Sequence, residues 1–235
     1  MKIIPKHYQE IEELYKQVRS ENAHCITLIS ANGQEGTTSL TLSLAERLID
    51  AQKNVLVIDL NHCQPFKLDY FGVEAPKQSW CFEDISCQTN VMTVDNLDLL
   101  SVQSLDQLAE IRDPAILQEA ILRLRQEYDY ILLDMSPALR VNRANVPLHV
   151  IATCTDLTLV CVALGKNTEE DICNTQQMLQ KAGLSKSYYI LQQQYLPPLG
   201  PLLIQTVQEK CLHFPKIAQW LLKQIRSKAF LFRCP

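Results

Sequence analysis

The sequence lacks the features that mark a secreted or membrane-spanning protein. No run reaches the roughly 18 apolar residues needed to cross a bilayer, and the opening MKIIPKHYQEIEELYK turns charged too early for a signal peptide. No C-x-x-C pair occurs among the nine dispersed cysteines, a spacing that favours reduced, mostly buried thiols over disulfides or a metal cluster. We therefore expect a cytoplasmic protein, and peripheral attachment to the inner membrane stays open.

An excess of positive charge is lacking as well. Lys and Arg total 22 against 26 for Asp and Glu, which gives a formal net charge of −4. No nucleic-acid partner is expected from this balance. Hydrophobic residues make up 47% of the 235 positions, enough for a compact α/β domain with a sizeable core.

Short apolar runs alternate with amphipathic segments along the chain. Runs rich in β-branched and aromatic residues predict buried strands at 25–30, 54–59, 97–102, 128–134, 157–164 and 188–192. Helical periodicity marks 38–52, 113–128 and 167–183. This alternation predicts an α/β fold, a single-domain parallel sheet flanked by helices on both sides.

Polar residues follow three of the predicted strands, at Ser30 to Thr38, Asp59 to Pro65 and Asp134 to Pro137. In open parallel sheets, ligands bind in the crevice outside the carboxyl ends of the strands. The three segments are therefore expected to converge on one ligand site.

The first of these segments, SANGQEGTTS (30–39), has the outline of a phosphate-binding loop. A strand, a glycine turn and a helix from near Thr37 direct backbone N–H groups toward an anion. The pattern G-x-x-x-x-G-K-[ST] needs a lysine, where this chain has Thr37, and a hydroxyl, which Thr38 keeps. A tight turn without a ligand is the alternative. The predicted nucleotide-binding residues here are Gly33, Gln34, Glu35, Gly36, Thr37, Thr38 and Ser39.

The other two segments each place a carboxylate at a strand end. Asp59 closes VLVID, and Asp134 closes YDYILLD in the manner of a Walker B strand. Such carboxylates orient an attacking water and hold Mg²⁺. We predict Asp59 and Asp134 as catalytic residues and, with Thr38, as Mg²⁺ ligands, although each acid alone could cap a loop.

Together the three motifs resemble the MinD/ParA group of deviant P-loop ATPases, and more narrowly the cytoplasmic domain of bacterial tyrosine kinases of the CpsD/CapB type. SANGQEGTTS, VLVIDLNHCQP and YDYILLDMSP are similar to that family's SxxPGEGKST, VLLIDADLRRP and YDYVIIDTPP. The likeness covers roughly residues 8 to 195. It implies Mg²⁺ with ATP or ADP as cofactors and a membrane polysaccharide co-polymerase or export protein as partner.

The resemblance also assigns residues outside the three strand ends. Glu13, Lys16 and Arg19 match the family's E-x-x-R-x-x-R oligomerisation helix, with lysine in the middle place. Residues spaced three apart share one helix face, so a homo-oligomer contact is implied, and a solvated charged face is the alternative. Gln192 stands near the usual place of the adenine-contacting residue.

Departures from the family pattern weaken the implied activity. Thr37 replaces the loop lysine, Asn32 stands where the signature lysine of MinD/ParA proteins would be, and Asn61 replaces a second acid. No tyrosine follows Tyr195, so the phosphorylated C-terminal cluster is missing from this sequence. We expect a weak or inactive ATPase without tyrosine autokinase activity.

Residues 215–235 form a basic segment without any acidic residue. At helical spacing, Ile217 and Trp220 share an apolar face, and Lys223 and Arg226 lie opposite. Such a helix can lie on an anionic membrane surface or pack on its own sheet. The preceding YLPPLGPLL is predicted to be a turn or short linker.

The expected organisation is an N-terminal helix (1–24), a P-loop NTPase-like core (25–200) and a C-terminal basic amphipathic segment (201–235). The leading hypothesis is a degenerate kinase-like protein that regulates capsule or exopolysaccharide biosynthesis or export. One alternative is a MinD/ParA-like ATPase that positions a membrane, pilus or secretion apparatus. The other is a structural adaptor that binds no nucleotide.

Overall fold

The computed structural model describes residues 4–67, 79–82, 90–102, 112–140, 145–193, 199–210, 215–228 and 231. In chain order its elements are α1 (Gln9–Ser20), β1 (Cys25–Ser30), α2 (Thr37–Asp50), β2 (Val55–Leu60), β3 (Met92–Val94), β4 (Leu97–Leu100), α3 (Pro114–Leu124), β5 (Tyr130–Met135), α4 (Leu148–Ile151), β6 (Leu157–Ala163), α5 (Glu169–Ala182), β7 (Ser187–Gln192), α6 (Leu199–Lys210) and α7 (Pro215–Arg226).

The strands form one seven-stranded sheet in the order β3-β4-β2-β5-β1-β6-β7. Strand β2 runs parallel to β4 and β5, and β1 runs parallel to β5 and β6. Strands β1, β2, β5 and β6 are buried along their whole length, as expected of a sheet covered on both faces. The predicted α/β class is therefore confirmed.

Two apolar clusters cover the two faces of the sheet. Because successive side chains of a strand point to opposite faces, Leu28 joins one cluster and Ile29 the other. Helices α1 and α2 supply the cluster that contains Leu28, and α3, α4 and α5 supply the other. The central strands are therefore fixed from both sides, which holds their carboxyl ends in place.

One edge of the sheet departs from the expected parallel arrangement. Strand β3 pairs antiparallel with β4, and Asp95 and Asn96 both have positive φ in the turn between them. Two such residues are typical of a two-residue hairpin turn. A three-residue strand shows no measurable alternation, so the sequence pattern did not predict it.

The chain divides into two compact units, 1–162 with 167–190, and 163–166 with 191–235. The predicted boundaries at 24/25 and 200/201 remain predictions. In the second unit, α6 and α7 pack against each other. Residues 195–198 of the expected linker YLPPLGPLL lie outside the described residues, and its prediction is wrong from Leu199 onward, where α6 begins. Pro201 lies in the first turn of α6, where a missing N–H costs no helical hydrogen bond.

Candidate nucleotide site at the ends of β1, β2 and β5

The loop between β1 and α2 is fixed by the segment that follows β5. Ser30 and Ala31 carbonyls accept hydrogen bonds from the N–H groups of Ala138 (2.8 Å) and Leu139 (2.9 Å). Gly33 has φ +88°, and a Cβ there would lie 3.0 Å from Pro137 Cγ. Glycine is therefore required by both the backbone conformation and the close approach.

The loop then turns directly into the N-terminus of α2. Gly36 is the N-cap with φ 81°, and its carbonyl accepts the Leu40 N–H at 2.9 Å. Gln34 also has positive φ, at 65°, and is exposed. Ser39 is half-buried in the first turn of the helix. This strand–turn–helix arrangement is the form that anion-binding loops take.

A fully buried carboxylate stands inside the loop. Glu35 Oε1 accepts the Asn32 N–H (2.8 Å) and the Asn167 side-chain amide (2.9 Å). Glu35 Oε2 is buried and has no hydrogen-bond partner. The Asn32 side chain bonds to Asp171, so two contacts tie the loop to the start of α5. Sequence reasoning did not identify Asn167 or Asp171, although both fall within the part of the chain, roughly 8 to 195, that resembles the family.

The Thr38 hydroxyl reaches the Walker B-like acid. Thr38 Oγ1 donates a 2.6 Å hydrogen bond to Asp134 Oδ2. Asp134 is fully buried, and its second oxygen, Oδ1, has no hydrogen-bond partner. The Thr37 hydroxyl is likewise buried without a partner. Buried polar atoms that lack partners are rare in folded proteins, so each of these oxygens is a candidate ligand contact.

Asp59 lies beside Asp134 on the neighbouring strand. The two residues are register partners of β2 and β5. Asp59 Oδ1 accepts the Asn61 N–H (2.9 Å) and Oδ2 the Phe66 N–H (2.8 Å). Burial raises the pKa of Asp59 to about 7, and backbone hydrogen bonds limit the rise.

The pKa of Asp134 is raised well above its ordinary value. Burial is the main cause, the neighbouring Asp59 carboxylate adds to it, and the Thr38 hydrogen bond opposes it. Two buried carboxyls side by side cannot both ionise cheaply unless a cation lies between them. In the part of the chain that the structure describes, the ion pairs include neither Asp59 nor Asp134.

These residues fit a magnesium ion. Mg²⁺ prefers hard oxygen ligands and usually takes one or two carboxylates, completing its shell with water and phosphate. Thr38, Asp59 and Asp134 offer a hydroxyl and two carboxylates at one end of the sheet. The described residues contain no cluster of three His, Cys, Asp or Glu side chains suited to a metal, so an all-protein cage is not available there.

The remaining predicted site residues lie elsewhere. Glu13, Lys16 and Arg19 are exposed on α1, whose other face is buried. Gln192 is the last residue of β7 and belongs to the second compact unit, where its carbonyl accepts the Leu164 N–H at 2.8 Å. Their roles in oligomerisation and adenine contact stay predictions.

An open cavity of about 560 Å³ lies at the other end of the sheet, beside Lys53, Asn54 and Asp98. None of the predicted site residues lines it. The loop between β1 and α2 is therefore a candidate phosphate site because of its backbone form and the neighbouring carboxylates, and not because of an enclosed volume.

Several solved structures superpose on most of this chain. The kinase domain of Escherichia coli tyrosine kinase ETK superposes with a TM-score of 0.57 at 18% identity, over 77% of this chain and 71% of that one. MinD, in the MinC:MinD complex of Aquifex aeolicus, gives 0.55 at 19%, over 72% and 68%. Cobyrinic acid a,c-diamide synthase from Mycobacterium smegmatis, with ADP and magnesium bound, gives 0.53 at 15%, over 72% and 74%.

No curated protein matches the chain in sequence. A family model described as an AAA domain matches residues 23–182. That span contains the loop, both acids and the tie to α5. Because the match covers more than half of the chain, this protein belongs to the AAA domain family, and its fold is the one shared by bacterial tyrosine-kinase domains and MinD.

Proposed function

We propose that this protein binds a magnesium nucleotide at the β1–α2 loop, hydrolyses it slowly or not at all, and acts as a regulator. The observation that carries the proposal is the 2.6 Å hydrogen bond from Thr38 to Asp134, with Asp59 as register neighbour. A hydroxyl and two carboxylates at the helix start form a Mg²⁺ site next to a phosphate cradle. The bound ADP and magnesium of the cobyrinic acid a,c-diamide synthase support this proposal.

Weak binding follows from the missing cations. A charged hydrogen bond to phosphate contributes on the order of 1.5–3 kcal/mol. Without the lysine at Thr37, affinity falls by roughly ten- to a hundredfold at about 1.4 kcal/mol per decade. Hydrolysis suffers more, because negative charge develops in the transition state where a lysine would act. This argues for a regulator and against a tyrosine autokinase.

Calorimetric titration with Mg-ATP and Mg-ADP tests the proposal. Wild type should release or absorb heat with a dissociation constant in the micromolar to millimolar range. Thr38→Ala should abolish that heat, because it removes the hydroxyl bonded to Asp134. Thr41→Ala is the matched control: its buried hydroxyl bonds only the Thr37 carbonyl, so affinity should stay close to wild type. No heat from wild type would favour the adaptor without nucleotide.

The proposed pathway is capsule or exopolysaccharide biosynthesis or export. Its support is the resemblance of the three strand-end motifs to the CpsD/CapB-type kinases, together with the shared fold. The partner would be a membrane polysaccharide co-polymerase or export protein. Deleting the protein from its host should change the amount or chain length of surface polysaccharide, and wild type should restore it. If Thr38→Ala restores it equally well, nucleotide binding is not needed for the role.

Self-association through α1 belongs to the same proposal. Glu13, Lys16 and Arg19 form one exposed stripe, and α1 is fixed to α2 by Arg47, which bonds Glu12 at 2.6 Å. Such a stripe can pair with a complementary surface of a second copy. Reversing Lys16 and Arg19 to Glu should lower the mass measured by light scattering. An unchanged mass would favour the solvated charged face.

A second candidate function is positioning at a membrane, as in MinD/ParA-like ATPases. Helix α7 leaves Ile217 54% and Trp220 60% exposed, and Lys223 and Arg226 on the same helix are exposed as well. Apolar and basic side chains on one helix favour an anionic lipid surface. The full chain should co-sediment with vesicles of anionic lipid, and the chain that lacks 215–235 should stay in the supernatant. Equally strong co-sedimentation with neutral vesicles would contradict the role of the basic residues.

A further inference from the structure

Two thiols lie in contact at the end of the sheet opposite the phosphate loop. Cys25 is the first residue of β1 and is fully buried, and Cys154, between α4 and β6, is 7% exposed. Cys154 Sγ donates to the Ile151 carbonyl at 3.3 Å and accepts a hydrogen bond from the Cys25 side chain. The backbone holds them together, because the Asp156 N–H donates to the Cys25 carbonyl (2.8 Å) and the Cys25 N–H to Asp156 Oδ2 (2.8 Å).

A guanidinium completes this cluster. Arg125 Nη2 donates to the Cys154 carbonyl at 3.1 Å and to Asp156 Oδ2 at 2.8 Å. The Arg125 side chain also bonds to Cys25. The guanidinium therefore lies next to both cysteines, where it can stabilise the oxygen that leaves when a peroxide is cleaved. The two sulfurs therefore lie in a polar environment that contains a guanidinium and a carboxylate.

A cavity of about 160 Å³ reaches one of the two sulfurs. Cys154 lines it together with Arg125, Thr153 and Thr155, whereas Cys25 does not. This volume holds several water-sized molecules, and its walls offer polar partners. The Arg125 side chain is 29% exposed, so the cavity communicates with solvent.

We propose that Cys154 and Cys25 form a peroxide-reactive dithiol. The Cys154 sulfur attacks one oxygen of the peroxide, so that an S–O bond forms, the O–O bond breaks, and the departing hydroxide takes the Cys154 thiol proton to become water. The Cys25 sulfur then attacks Cys154, forming the S–S bond and breaking the S–O bond, and its proton leaves with the hydroxide as a second water. Two thiols lose two electrons, and the peroxide gains them.

The two sulfurs have different tasks in this scheme. Cys154 is the attacking thiol because it lines the cavity. Its hydrogen bond from Cys25, together with burial, holds the pKa of the Cys25 thiol well above its usual range. Cys25 therefore keeps its proton until the sulfenic acid has formed beside it, and resolves it as the second thiol.

Mapping of cysteines after brief exposure to hydrogen peroxide tests the proposal. The reduced full-length protein is oxidised, its remaining thiols are alkylated, and its peptides are identified by mass spectrometry. We expect a peptide pair joined through Cys25 and Cys154, a loss of two hydrogens in the intact mass, and reversal by dithiothreitol. This result needs no variant, so it does not depend on whether substitutions at buried cysteines fold.

Variants then separate the two roles. Cys25→Ala should leave a sulfenic acid on Cys154 that dimedone traps, and Cys154→Ala should yield neither product. Cys173→Ala is the matched control, because Cys173 is exposed on α5 and lies outside the cluster; the cross-link should form as in wild type. Oxidation of other cysteines while Cys25 and Cys154 remain alkylatable would overturn the proposal.

Discussion

At the scale of single residues, the loop between β1 and α2 holds a buried carboxyl group and no cationic side chain. Glu35 is fully buried with one oxygen unpartnered. In the related family pattern the glutamate and glycine are followed by a lysine, whereas Thr37 follows Gly36 here. Compared with that pattern, the loop therefore offers a bound polyphosphate less electrostatic attraction. Two substitutions separate the missing cation from the carboxylate.

Restoring the lysine should strengthen nucleotide binding. We expect Thr37→Lys to lower the dissociation constant of Mg-ATP by roughly ten- to a hundredfold, because a charged hydrogen bond to phosphate contributes about 1.5–3 kcal/mol. Gln126→Lys is the control for net charge, since Gln126 is exposed and precedes β5 at the opposite end of the sheet. Equal tightening by both variants would point to long-range attraction, and calorimetry distinguishes the two outcomes.

Removing the loop carboxylate should also strengthen binding. A glutamine at position 35 keeps an oxygen that can accept from Asn32 and Asn167 while it removes the charge. Glu35→Gln should therefore bind Mg-ATP several-fold more tightly, by an amount of the order of a single screened charge interaction. If Glu35 only braces the loop, affinity should fall or stay level. Glu127→Gln, on an exposed residue before β5, is the control.

At the scale of elements, the site follows from the register of β2 and β5. Each strand is buried along its whole length and carries its acid as the residue before last, and the parallel pairing sets Asp59 beside Asp134. Burial favours the protonated carboxyls, so ionising them lowers the free energy of unfolding. Stability and cation binding are thereby coupled to pH.

The pH dependence of stability should report this pair. The pKa of Asp59 is about 7 in the folded protein, against 3.8 ordinarily, so the folded state holds a proton that the unfolded state releases. Stability from this group is therefore full below about pH 4 and falls as pH rises to about 7, by on the order of 4 kcal/mol. The free energy of unfolding of Asp59→Asn should therefore rise relative to that of wild type as pH increases from about 4 to about 7. Urea unfolding in the presence of EDTA measures both. A pH-independent difference would contradict the raised pKa.

Sequence patterns could predict the elements whose periodicity is long. The strands that carry the site were predicted within a few residues, because short β-branched runs bounded by polar residues are typical of buried strands. Strand β3 is too short to show alternation, and α6 begins immediately after two prolines, which indicate a turn. The bond from Asn167 to Glu35 joins residues 132 positions apart; no local pattern encodes such a pairing.

At the scale of the whole molecule, a net charge of −4 conceals an uneven distribution. Residues 215–235 contain basic side chains and no acidic ones, so the rest of the chain is more acidic than the total. If the protein binds an anionic surface, we therefore expect the contact to be made by residues 215–235 and not by the more acidic remainder of the chain. Among the described residues, no helix is both long enough and apolar enough to cross a membrane.

Ligand binding at the loop should raise the stability of the whole fold, because the loop joins β1 to α2 and contacts the segment after β5. At a Mg-nucleotide concentration about ten times its dissociation constant, linkage contributes about 1.4 kcal/mol. For a chain of this size that raises Tm by roughly 3 to 6 °C. Scanning calorimetry with Mg²⁺ alone and with Mg-ATP measures it, and Thr38→Ala should lose the nucleotide-dependent part. A Tm unmoved by millimolar nucleotide in wild type would leave the loop as a structural connection, and the adaptor hypothesis would then account for the protein better than a nucleotide-dependent regulator.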